Sequence, residues 1–250
     1  MILEEFLLNG QTALVTGADS LSGNAIVSAL AEAGANIIAV ANPNTPLDTA
    51  RKLVTQHGKK ILTINGNLQD EESVKEIVNK GLNQFSNIDI LVNNEQIAFS
   101  KPLIEISPDE WRKAIDINLL TTFLFSKTVG AHMIKLQKGK MVNIVSGMGD
   151  RGLENSSSYS TTMAGIMQMT SALSVEWGKY GIKVNAAGPV WFNNGEDIED
   201  LSDPVLRYIP MRRKGNWHEL GRMVIFLACD GSHFLTGKTL FLDGGVLSHA

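Results

Sequence analysis

Apolar residues in this chain fall into short unbroken runs separated by longer stretches with helical spacing. The runs are QTALVTGA (11–18), ANIIAVA (35–41), KKILTING (59–66), DILVNN (89–94), KMVNIVS (140–146), KVNAAGPV (183–190) and KTLFLDGG (238–245). They are continuous rather than alternating, as strands are when helices cover both faces of their sheet. The stretches between read as helices. GNAIVSALAEAGA (23–35) places Ile26, Val27, Leu30 and Ala33 on one side, and DEESVKEIVNKGLNQF (70–85) follows the third strand. Two long helices are predicted over about 108–137 and 157–179. Strand–helix alternation of this kind gives an α/β fold, a right-handed, doubly wound parallel sheet with helices on both faces.

No repeat, low-complexity linker or composition break divides the 250 residues, so the reading is one domain over 1–250. One irregular region, about 189–218, is acidic and punctuated by Pro and Gly, and is long enough to be a lid or substrate loop. Composition is that of an ordinary globular domain, 44% hydrophobic and 19% charged. A net charge of −4 argues against a nucleic-acid partner. The N-terminus MILEEFLLNGQ is acidic where a secretory signal is basic, and no apolar run reaches the length of a bilayer span. The single cysteine, Cys229, reads as a buried small hydrophobe. A reducing, cytoplasmic setting and no membrane partner are expected. The five histidines are dispersed, so no metal site is expected; His132 reads as a surface or interface residue.

Chemistry enters at TGADSLSG (16–23), which closes the first strand and opens the first helix, where a dinucleotide phosphate would sit. Two glycines six apart carry little alone. Thr16-Gly17 with Gly23, Asn93-Asn94 after the fourth strand, Asn118, Ser146, Tyr159, VNAAGP and LTGKTLFLDGG then follow in order. In that order and spacing the chain resembles the short-chain dehydrogenase/reductase family over almost its whole length. The resemblance implies a Rossmann-type domain with Gly17, Gly23, Asn67 and Asn93 around the cofactor. It implies an Asn–Ser–Tyr–Lys catalytic group, of which Asn118, Ser146 and Tyr159 match. In the family the serine orients the carbonyl or alcohol, the tyrosine exchanges its proton, and the asparagine supports a water chain. The lysine, which lowers the tyrosine pKa and holds the nicotinamide ribose, falls at Met163.

A thioether can neither stabilise a phenolate by charge nor donate to ribose hydroxyls. Unperturbed tyrosine, with a pKa near 10, is only about one part in a thousand ionised at neutral pH. Four further positions depart from the family around the same ligand. Leu21 stands where a glycine admits the pyrophosphate, Glu95 and Gln96 replace two small residues, and Val190 follows Pro189 in place of glycine. Ala41 takes the position of the residue that selects the ribose form. A carboxylate at ~7 Å from a phosphate charge costs about 2 kcal/mol at an effective dielectric near 20.

These departures lead to the expectation of a pseudoenzyme: Leu21, Glu95, Gln96 and Val190 block the cleft, and Asn118, Ser146 and Tyr159 are vestigial. No cofactor is expected on this chain. NAD is expected in a partner subunit, a catalytically active paralogue, in a hetero-tetramer. Such an arrangement resembles the non-catalytic subunit of hetero-oligomeric dehydrogenases, of the kind that oxidises 2-[hydroxy(phenyl)methyl]succinyl-CoA in anaerobic toluene degradation. One alternative is an active NAD(P)-dependent oxidoreductase that uses Ser146 and Tyr159 with a relocated cation, Lys127 or Lys179. A second is a sensor or binding protein built on the same scaffold.

Overall fold

In the computed structural model, which describes residues 2–194 and 203–248, seven strands form one parallel sheet in the order β3-β2-β1-β4-β5-β6-β7. They are β1 (Thr12–Thr16), β2 (Asn36–Ala41), β3 (Ile61–Asn65), β4 (Ile90–Asn93), β5 (Gly139–Ile144), β6 (Ile182–Pro189) and β7 (Thr239–Leu242). The helices are α1 (Leu21–Glu32), α2 (Asp48–Gln56), α3 (Glu71–Phe85), α4 (Pro108–Ala114), α5 (Thr121–Leu136), α6 (Ser157–Trp177) and α7 (Trp217–Ala228). The α/β fold, the doubly wound parallel sheet and all seven strand positions agree with the sequence pattern.

Side chains alternate between the two faces of a strand, and here both faces are apolar. Ala13 and Val15 of β1 and Ile37, Ala39 and Ala41 of β2 join Ile26, Val27 and Leu30 of α1 and Leu220, Val224 and Leu227 of α7 in one core. Leu14, Ile38 and Val40 face the opposite way, onto Val74, Ile77 and Val78 of α3 and Leu124, Phe125 and Val129 of α5. Cys229 is a fully buried free thiol in the first core, as its apolar setting suggests. Among the described residues no helix is long and apolar enough to cross a membrane.

Three elements differ from the expectation. The helix predicted over 108–137 is broken by a π-helical segment, Ile115–Leu120, between α4 and α5. α2 and α7 were not foreseen. α7 begins inside the predicted 189–218 loop, at a capping box in which Asn216 accepts from the backbone and Glu219 reaches back to the Asn216 N–H. Residues 195–202 of that loop lie outside the described residues.

The strand order reverses between β1 and β4: the chain winds from β1 to β3 in one direction and returns beside β1 to wind in the other. The crevice at the carboxyl ends of these strands is where ligands bind in sheets of this type.

Candidate active site

At the crevice, the β1–α1 turn is folded hard against the end of β4. Gly17 has φ +59°, and a Cβ on it would meet the Asn94 carbonyl oxygen at 2.9 Å. A Cβ on Gly23 would clash with the Gly17 carbonyl oxygen. Only glycine suits these two positions. Ser20 caps α1, accepting from Gly23 N at 3.0 Å and donating to Gly17 O at 2.8 Å. Asn94 clamps the turn from the other strand: its Nδ2 donates to Gly17 O at 3.0 Å and its Oδ1 accepts from the Ser22 hydroxyl at 2.9 Å. The first amides of α1 have no acceptor within the helix and lie at its positive end, so the turn suits a phosphate.

Beyond the turn lies a cleft of about 380 Å³, walled by Gly17, Asp19, Ser20, Leu21, Ser22, Asn94, Glu95, Gln96, Tyr159 and Trp217, with Ala98. Leu21 is 50% exposed at the start of α1, on the wall of this cleft. Glu95 turns towards β2, where Asn42 Nδ2 donates to its Oε1 at 2.7 Å. Burial, and secondarily the charge of Asp19, push its carboxyl up to about 7 from an ordinary 4.5. The carboxyl therefore ionises less readily than the ordinary glutamate expected at this position.

Gln96, Tyr159 and Trp217 also wall a smaller pocket of about 160 Å³ with Ser146, Pro189, Trp191 and Phe192. Ser146 follows β5, and Tyr159 stands in the first turn of α6. Tyr159 is only 8% exposed, and its hydroxyl donates to Gln96 Oε1 at 2.8 Å. Burial raises its pKa to about 12, opposed in part by the Ser146 hydroxyl. Among the described residues no cation contributes to this shift. Met163 is fully buried with Val145, Tyr159, Ile166 and Ala186. The candidate replacements for the lysine lie elsewhere. Lys127 pairs with Glu71 at 2.9 Å on the surface, and Lys179 lies over the Tyr180 ring at 5.0 Å. A relocated ammonium is therefore corrected on both counts.

The other predicted residues divide. Asn118, in the π-helical segment, accepts from Ile97 N at 2.8 Å and donates to Ile97 O at 3.1 Å and to the Thr162 hydroxyl at 3.0 Å. It ties the segment after β4 to α6. Asn93 points inward, donating to Ser126 Oγ at 3.1 Å and Asn143 Oδ1 at 2.8 Å beneath the sheet. Asn67 is exposed and its Oδ1 accepts from Gln69 N at 3.1 Å, away from the cleft wall. Val190 packs against Gly147 and the cluster of Leu206, Ile209 and Val246. It lies outside the cleft at the turn. Sequence reading missed Asn42, Trp191 and Trp217. Trp191 adopts φ +52°, unusual for a bulky residue, which turns its ring over the pocket.

Comparison with known proteins accords with this geometry. The family profile described as enoyl-(acyl carrier protein) reductase matches residues 17–247. The 2-dehydro-3-deoxy-D-gluconate 5-dehydrogenase of Dickeya dadantii (strain 3937) is 35% identical over 99% of this chain and 100% of its own. A 3-oxoacyl-[acyl-carrier-protein] reductase of Synechocystis sp. is 31% identical over 96% of this chain and 98% of its own. The crystal structure of a gluconate 5-dehydrogenase from Burkholderia cenocepacia J2315, in complex with NADP and tartrate, superposes with a TM-score of 0.91 at 31% identity, covering 100% of both chains.

Two expectations fall on these findings. Relatives alike over nearly the whole chain are named dehydrogenases and reductases, so the pseudoenzyme reading is corrected, and with it the likeness to a silent toluene-pathway subunit. A neighbour of the same fold and length carries NADP, so the expectation of a chain that binds no cofactor is corrected too. Of the residues expected to block the cleft, Leu21, Glu95 and Gln96 stand on its wall, with Gln96 bonded to Tyr159, and Val190 packs on Gly147. Motif order, strand topology and the hydroxyl pair agree, and the chain belongs to the short-chain dehydrogenase/reductase family.

Proposed function

We propose that this chain is an active nicotinamide-dependent oxidoreductase that interconverts a carbonyl and an alcohol. The observation carrying this reading is that Ser146 and Tyr159 wall one pocket, which meets the larger cleft at Gln96, Tyr159 and Trp217. Gly17, Ser20, Asn94 and the α1 amides would hold the diphosphate. When bound, the nicotinamide supplies or accepts the hydride. The rest is done by side chains. Ser146 orients the carbonyl oxygen. The Tyr159 hydroxyl leaves Gln96 and donates its proton to that oxygen as negative charge develops there. A phenol with a pKa of about 12 is protonated at all physiological pH, so the proton is in place, although burial makes it a weaker acid than an ordinary tyrosine. Without a lysine the oxidation direction starves for phenolate, whose share at neutral pH is about one part in 10⁵.

Substrate chemistry is read from the next chamber, about 380 Å³, which adjoins the pocket across Trp191. Met148, Leu153, Trp191, Tyr208 and Leu247 are among its walls, with Arg151 the charged residue beside them, so a largely apolar substituent fits there. With a working site on this chain, an active paralogue is no longer needed to explain it.

The test is direct. The purified chain is titrated with NADH and NADPH, then assayed for reduction of a panel of apolar ketones. Binding of at least one cofactor and measurable reduction are expected. Tyr159→Phe should lower turnover by ~10²–10⁴-fold with cofactor binding retained. A chain that binds neither cofactor, or a Phe variant as active as the parent, would rule the proposal out.

A further inference from the structure

The position after β2 that commonly reads the adenosine ribose is Ala41 here, fully buried and without a polar side-chain atom. A carboxylate reaches this neighbourhood from another strand. β2 and β4 flank β1, so the Asn42–Glu95 hydrogen bond passes over the carboxyl end of β1. The reacting end of the cleft is fixed by Tyr159 and the diphosphate end by the α1 N-terminus. The adenosine half must then lie on the β2 side of the turn, where Asn42 holds Glu95.

Resting on the nicotinamide-binding reading above, we infer that Glu95 selects the unphosphorylated dinucleotide, NAD(H) over NADP(H), by accepting from the adenosine ribose hydroxyls. An ionised carboxylate only accepts hydrogen bonds, and a free ribose diol offers two donors. A 2′-phosphate offers no donor in its ionised form and adds negative charge. The charged residues on the cleft wall are Asp19, from the β1–α1 turn, and Glu95, from the segment after β4; both are acidic. The facing groups Asn42, Ser20 and Asn94 are neutral. Among the described wall residues there is no Lys or Arg to receive a phosphate. Asn42 contributes by fixing one carboxylate oxygen and leaving the other for the ligand. Because Glu95 ionises around neutrality, selection should strengthen as the solution becomes more alkaline.

Isothermal titration of the full chain with NADH and NADPH, at about pH 6 and about pH 8, reads this out without catalysis. At the higher pH, NADH should bind at least about tenfold more tightly, and the gap should narrow at the lower pH. In Glu95→Gln and Glu95→Ala the two affinities should come within about threefold of one another at both pH values. If one variant fails to fold by circular dichroism, the other decides. NADPH binding as tightly as NADH, or a gap unchanged in the variants, overturns the role of Glu95 while leaving the oxidoreductase reading intact. Binding of neither cofactor overturns both.

Discussion

Met163 stands one helical turn beyond Tyr159 and shares its apolar cluster, so the two side chains are neighbours on one face of α6. That proximity makes the absent cation testable. In Met163→Lys an ammonium would stand beside the phenol, and an opposite charge at such range lowers a pKa by ~1–3 units. The alcohol-oxidation rate near neutral pH should rise by about 10–10³-fold, and its pH profile should move to lower pH by a similar number of units. Stability should fall by a few kcal/mol, about 2–4, because the charge enters a site built for a thioether. Rate–pH profiles of both proteins, with thermal melts, check this; an unmoved profile would mean the ammonium does not reach Tyr159. The sequence exposed the loss at 163 because a residue type and a spacing suffice to show it. It did not expose Gln96 as the acceptor for Tyr159, because that bond joins α6 to a segment 63 residues away and depends on the fold.

Position of the catalytic pocket depends on elements more than on any one group. The segment carrying Glu95 and Gln96 has no regular structure and is fastened by Asn118, whose amide meets both polar atoms of the Ile97 backbone. Asn118 is itself fully buried in the π-helical segment, with Thr162 of α6 as its third partner. Asn118→Ala should leave the Ile97 N–H and C=O without side-chain partners and cost about 2–4 kcal/mol in denaturant unfolding. It should also lower kcat for reduction by at least about tenfold, because Gln96 and the adjoining wall lose their anchor. Asn118→Asp keeps an acceptor for Ile97 N–H and should recover part of the stability. The strands and the order of motifs were legible because buried parallel strands read as continuous apolar runs. The π-helical break was not, since an extra residue in one turn leaves the apolar spacing of 108–137 almost unchanged. α7 was hidden because MVIFLACD reads as an apolar run of either kind, although Asn216 and Glu219 already carried its capping signal.

At the scale of the whole molecule, the cleft puts a pH-dependent load on the fold. Glu95 has a folded pKa of about 7 against an ordinary 4.5, so the folded chain holds that proton more tightly than the unfolded chain does. Its unfavourable contribution is absent below about pH 4.5, grows as the pH rises towards 7, and is complete above it. Glu110 and Glu219 act in the opposite sense. Lys101 holds the first and Arg213 the second at about 2, so their stabilisation is present above the ordinary carboxylate range and is lost as the pH falls towards 2. Half-buried His132, whose pKa is lowered chiefly by desolvation, favours the fold when neutral. Comparing the parent with Glu95→Gln cancels these other groups, because they are common to both proteins. The glutamine keeps an acceptor for Asn42 and carries no charge. It should raise the stability of the ligand-free chain by about 1–2 kcal/mol near pH 8, allowing for partial solvent screening, and change it little near pH 4.5. In thermal melts of a domain this size the gain at the higher pH appears as roughly 2–8 °C. A gain of equal size at both pH values would show that the substitution acts through packing rather than charge. Saturating NADH should shrink the difference at the higher pH, because the ribose hydroxyls then solvate the carboxylate that the empty cleft leaves poorly compensated.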